Sequence, residues 1–226
     1  MSWGHYSAAF PLRESGGVAK SAVRPYNGDG SNSSTEGLCV IDQRPYTTIS
    51  RRYLWRSRWY NVRQDRLRGE SGDELTYTVV EKPPAVWVVP VTVDGMLVLI
   101  DQYRYTVDAW CLEVPAGNIE PGMDAPGMAV RELREEIGGI AQELIPVAEF
   151  FSMNGIGDEV AQVFLALGVV LGEPQREATE HIAVRLVPVE EGLAMARGGA
   201  IKDGISALAI LLSEPVLRQR LLERDP

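Results

Sequence analysis

Apolar and polar positions along this chain fall into short alternating runs, valine-rich runs and helical stripes. Between residues 51 and 68, Arg51, Arg52, Arg56, Arg58, Arg63, Arg66 and Arg68 interleave with Tyr53, Trp55, Trp59 and Tyr60. Alternation through Arg58-Trp59-Tyr60-Asn61-Val62-Arg63 predicts a strand with one wet face. A turn at Ser71-Gly72-Asp73 leads into a second strand from Leu75 to Val80. Two apolar runs, Ala85 to Pro90 and Met96 to Ile100, flank Asp94-Gly95 and predict a hairpin, because both turn residues tolerate positive φ. Further strands are expected over Ala161 to Val170 and Ile182 to Pro188, and helices over 125–137, 190–197 and 205–222. Without a regular βαβ repeat, this mixture predicts an α+β fold: a mixed sheet flanked by helices, preceded by antiparallel strands.

Residues 1 to 48 show neither period. Gly16-Gly17 and the polar run from Gly28 to Ser34 predict a disordered extension, since such a stretch buries too little apolar surface to offset its ordering entropy. The expected organisation is then an N-terminal strand element over 49–84, a candidate for dimerisation, and a main domain over 85–226.

With 226 residues, 45% of them hydrophobic and 23% charged, the chain can bury a sizeable core. A net charge of −9 repels phosphate backbones, so no nucleic-acid partner is expected. No run of 18 apolar residues and no signal-peptide pattern occurs, and Cys39 and Cys111 match no metal spacing. The expectation is a cytoplasmic protein with no membrane partner. Only His5 and His181 are available as imidazoles, so histidine-ligated metals and Ser-His-Asp triads find little support. The chemistry must run on carboxylates.

Those carboxylates cluster after Gly117. Asp124 caps a predicted helix whose first turn tolerates Pro126, and Gly138-Gly139 ends it. Met128, Ala129, Leu133 and Ile137 define a buried face, while Glu132, Glu135 and Glu136 stand at i, i+3 and i+4 and crowd one patch. Three carboxylates near a helix C-terminus oppose both one another and the dipole, and a hard divalent cation removes both penalties. On spacing alone, a solvated face paired with Arg131 and Arg134 is the better reading.

The whole segment resembles the Nudix box, which runs Gly, five residues, Glu, seven residues, then Arg-Glu-apolar-x-Glu-Glu-x-Gly-apolar. Gly117, Arg131, Glu132, Leu133, Glu135, Glu136 and Gly138 match in register; Met123 replaces the first glutamate and Gly139 the last apolar residue. Gln102-Tyr103-Arg104 and Leu112-Glu113-Val114-Pro115-Ala116-Gly117 resemble the lead-in of ADP-ribose and nucleotide-sugar pyrophosphatases, and the likeness covers roughly residues 55 to 215. It implies an α/β/α sandwich and a Mg²⁺- or Mn²⁺-dependent hydrolase of a nucleoside-diphosphate sugar, ADP-ribose foremost. The alternatives are another nucleotide sugar or dinucleotide, or a weakly catalytic protein that binds ADP-ribose.

The resemblance implies metal ligation by Glu132, Glu135, Glu136 and the Ala116 carbonyl. It implies phosphate binding by Arg104 beside Gly117, and catalytic roles for Glu159, Glu135 and Arg131. Without a glutamate at 123, Arg131 is expected to be less well oriented. Trp59 and Tyr77 are the candidates for stacking the base, in an expected homodimer whose N-terminal strands cross over.

Overall fold

The computed structural model describes residues 44–176 and 181–222. The extension foreseen for 1–48 therefore lies almost wholly outside the described residues, except that the first strand already includes 46–48.

Three strands come first: β1 (Tyr46–Arg56), β2 (Asn61–Gly69) and β3 (Glu74–Glu81), paired antiparallel in that order. The turn joining β2 and β3 holds Ser71-Gly72-Asp73, as expected. Between β1 and β2, however, Arg58, Trp59 and Tyr60 belong to a turn and not to a strand. Ser57 makes that turn: its Oγ donates to the Tyr60 carbonyl at 2.7 Å and accepts from the Trp59 and Tyr60 amides.

The second sheet has seven strands: β4 (Ala85–Thr92), β5 (Met96–Arg104), β6 (Ala109–Glu113), β7 (Ala116–Asn118), β8 (Glu143–Phe151), β9 (Val160–Val169) and β10 (Ile182–Pro188). Its order is β10-β5-β4-β9-β8, with β6 beside β5 and β7 beside β4. The β4–β9 pair is parallel and the others antiparallel, so the sheet is mixed, as expected. The hairpin at Asp94-Gly95 forms, but only Gly95 takes positive φ. Thr92 closes the turn instead, accepting from the Met96 amide at 2.9 Å.

Helix α1 (Ala125–Ile137) covers one face of this sheet, and α2 (Val189–Arg197) with α3 (Gly204–Leu222) cover the other. Alternation along β4 shows the division: Val86 and Val88 pack with Met128, Leu133 and Ile137, whereas Trp87, Val89 and Val91 pack with Leu193, Ala209 and Ile210. Among the described residues, no helix is long and apolar enough to cross a membrane.

Candidate active site

The carboxylate helix starts and stops as its sequence predicts. Asp124 Oδ1 accepts from the Gly127 amide at 2.9 Å, and Gly138 closes the helix at φ 63°. Buried positions then recur as Met128, Ala129, Glu132, Leu133, Glu136 and Ile137. Glu132 and Glu136 thus occupy the inward stripe, 8% and 4% exposed, where an ordinary amphipathic helix carries apolar side chains. A solvated acidic face does not describe them.

Both lie against β7. The Ala116 amide donates to Glu136 Oε2 at 3.2 Å. A Cβ on Gly117 would stand 1.8 Å from Glu132 Oε1, so only glycine lets the carboxylate approach the strand this closely. Glu135 turns outward and accepts from Arg131 Nε at 2.8 Å. Among the described residues, no three His, Cys, Asp or Glu side chains converge on one point. The donor set still suits a hard cation. It consists of carboxylates alone, two of them buried together beside backbone, a costly arrangement that a divalent ion relieves.

Arg131 is better held than Met123 led us to expect. Its Nη1 donates to Glu120 Oε2 at 2.8 Å while Nε holds Glu135. Glu135 and then Glu120 raise its pKa further above the usual arginine range. Glu120 supplies the second carboxylate that position 123 lacks.

A cleft of about 710 Å³ is lined by Lys82, Trp87, Arg104, Trp110, Glu113 and Glu159, among others. Arg104 forms a fork with buried Glu113: Nε donates to Oε1 at 2.8 Å and Nη2 pairs with Oε2. That fork, opposed by partial burial, raises the Arg104 pKa, with Glu136 and Asp203 adding Coulombic attraction. The guanidinium is therefore fixed in direction and electrostatically joined to the carboxylate helix.

Glu159 ends the loop before β9 and is 3% exposed. Ser152 Oγ donates to its Oε2 at 2.6 Å, and the Lys82 ammonium pairs with Oε1. Glu159 and Arg104 therefore share one cleft, and α1 reaches it through the attraction of Glu136 for Arg104. Trp59 and Tyr77 do not line it; they sit exposed on the three-stranded sheet, with the Arg58 guanidinium 4.2 Å from the Trp59 ring.

Sequence reasoning passed over Lys82, Ser152, Glu113, Glu120 and Trp110 as site residues. A usable signal existed only for Glu113, a carboxylate inside the apolar run of β6, where a charge needs a partner.

The NUDIX domain model matches residues 81–207, more than half of the chain. This chain belongs to the Nudix family. Its relatives include the ADP-ribose pyrophosphatase of Bacillus subtilis, 29% identical over 165 residues that make up 72% of this chain and 89% of that one. The ADP-ribose pyrophosphatase of Mycobacterium tuberculosis is 29% identical over 172 residues, 75% of this chain and 83% of its own. The methanol dehydrogenase activator of Bacillus methanolicus is 27% identical over 165 residues, 72% of this chain and 89% of its own. A crystal structure of an ADP compounds hydrolase superposes with a TM-score of 0.70 at 22% identity, covering 78% of this chain and 96% of that one. These findings bear out the Nudix fold and place the chain as a Nudix pyrophosphohydrolase on the ADP-ribose pyrophosphatase-like branch.

Proposed function

We propose that this Nudix protein is a cytoplasmic hydrolase of nucleoside-diphosphate sugars, ADP-ribose foremost, converting ADP-ribose and water to AMP and ribose 5-phosphate. The observation that carries the reading is the burial of Glu132 and Glu136 against the Ala116-Gly117 backbone, with Glu136 close enough to attract the cleft residue Arg104. Glu132, Glu136, the Ala116 carbonyl and Glu135, released from Arg131, would hold Mg²⁺ or Mn²⁺. Such an ion neutralises charge on the diphosphate and lowers the pKa of the attacking water when bound.

The chain's own side chains do the rest. Arg104, aimed by Glu113, clamps the diphosphate oxygens. Glu159, its two oxygens steadied by Ser152 and Lys82, accepts the proton of the attacking water, a step typically worth about 10²- to 10⁴-fold. Arg131, fixed by Glu120, orients Glu135.

Tyr46, Tyr53, Leu54, Trp55 and Tyr77 are exposed large side chains on the N-terminal sheet, and apolar side chains gathered on a surface suit a partner. We assign this surface to a second copy in a homodimer, which would bring Trp59 or Tyr77 toward the partner subunit's cleft to stack the base. The alternative of binding without cleavage drew its support from Met123; Glu120 on Arg131 weakens it.

A panel of ADP-ribose, UDP-glucose, GDP-mannose and flavin adenine dinucleotide with Mg²⁺ or Mn²⁺ tests the substrate. ADP-ribose should give the highest kcat/KM, with AMP and ribose 5-phosphate as products. Faster turnover of another member would reassign the substrate, and tight ADP-ribose binding without products in excess metal would favour the binding protein.

A further inference from the structure

The loop that carries Glu159 is held mostly from the N-terminal sheet. The Val80 amide in β3 donates to the Ile156 carbonyl at 2.8 Å, and the Asp158 amide donates back to the Val80 carbonyl at 3.3 Å. Val80 and Gly157 form a parallel bridge, and a Cβ on Gly157 would already stand 3.0 Å from the Val80 oxygen. The loop thus continues the edge of β3 like a short extra strand.

Asp158 fastens this junction from both sides. Its Oδ1 accepts from the Lys82 backbone amide at 3.0 Å, and its Oδ2 accepts from Arg63 Nη1 at 3.2 Å. Arg63 differs from the exposed arginines around it: its side chain is 13% exposed and also bonds Glu81 at 2.6 Å and Asp65 at 3.2 Å. Lys82, held by its backbone on Asp158, turns its ammonium to Glu159 Oε1. One carboxylate therefore sets the backbone of the residue that pairs with the neighbouring carboxylate in the cleft.

We propose that Asp158 is a positioning residue for Glu159, and that Arg63 makes the three-stranded sheet part of the device that aims it. This rests on Glu159 being the proton acceptor proposed above. Asp158 does not line the cleft itself; it acts through Lys82 and the loop. Arrangements of this kind are sensitive to small displacements, since a shift of about 1 Å at a reacting group can cost roughly a hundredfold in rate.

The test compares Asp158→Ala, Arg63→Ala, Glu159→Gln and the Asp158→Ala/Glu159→Gln double variant in Mg²⁺ with ADP-ribose. Asp158→Ala should lower kcat about tenfold or more, with KM within about twofold; Arg63→Ala should follow at about threefold, with partial rescue in Arg63→Lys. In the Glu159→Gln background, Asp158→Ala should add nothing further. In the metal-free protein, hydrogen exchange should quicken at the amides of Val80, Lys82 and Asp158 in Asp158→Ala, while those of β4 stay protected. A kcat within twofold of wild type in Asp158→Ala, or the same further loss with and without Glu159, would overturn the proposal. Full activity in Glu159→Gln would instead remove the reading beneath it.

Discussion

All eight residues of β4 are buried, whereas all eleven residues of β1 are exposed. The two strands show how differently the two sheets hold together. β4 lies between α1 and the α2–α3 pair, so apolar burial on both faces dominates its stability. Among the described residues β1 pairs only with β2, and its sheet relies on backbone pairing, the Arg63-Asp65-Glu81 network and the junction with the 153–158 loop. The rigid sheet anchors Glu132 and Glu136; the lighter one reaches over to steady Glu159. Precision at the cleft thus depends on two regions of unequal stability.

Removing side chains breaks this comparison most directly. Leu133→Ala, at a fully buried position on α1, should cost about 2–5 kcal/mol in urea unfolding, because it leaves a cavity. Leu54→Ala, at an exposed position on β1, should cost less than about 0.5 kcal/mol at protein concentrations low enough to keep chains apart. Similar costs for the two would mean that the N-terminal sheet carries a core of its own.

A second test asks what the exposed surface is for. Trp55, near the end of β1, is 60% exposed, the most exposed of its aromatic residues. The proposed homodimer predicts an eluted mass of two chains for wild type and of one chain for Trp55→Asp. An unchanged mass would detach the aromatic residues of β1 from dimerisation.

The smallest effect concerns acid. Burial raises the pKa of Glu81, but hydrogen bonds from Asn61 and Arg63 and the Arg63 charge outweigh it and hold the carboxyl below its ordinary range. A folded-state pKa that is depressed adds stability above the unfolded value, and that stability is lost as pH falls through the lowered one. The effect is a fraction of about 1 kcal/mol, because the group is partly solvated. Below roughly pH 4, amide exchange across β1–β3 should therefore quicken before exchange in β4 does. Glu81→Gln should erase the pH dependence of that difference.

Much of the fold was legible where one period or one turn decided the structure. The valine runs of β4 and β5, the helix from 125 to 137 and the strand from Ile182 to Pro188 lie where their patterns put them. Three strands escaped notice for physical reasons. β7 is only Ala-Gly-Asn, a strand by virtue of pairing with β4. β8 contains Pro146 and an irregularity before Ala148, which break its alternation. β6 is short and half-exposed.

The alternation at Trp59 suggests a strand because Ser57 makes the turn that holds this residue without Gly or Pro. At the site, the carboxylate helix was readable since its spacing is local. The pairing of Lys82 with Glu159 was not: Lys82 is held on Asp158, 76 positions away, and the two meet only through the β3 junction. Glu120 was likewise invisible as the residue that steadies Arg131 in the absence of a glutamate at 123.

In the proposed mechanism the buried carboxylates of α1 hold the divalent ion on which hydrolysis depends. Glu136→Gln, assayed with ADP-ribose in Mg²⁺ and Mn²⁺ beside calorimetric metal binding, tests it most directly. We predict a loss of kcat of about 10³-fold or more and weakened metal binding, with a melting temperature within a few degrees of wild type. Wild-type turnover and metal affinity in a folded Glu136→Gln protein would contradict the account.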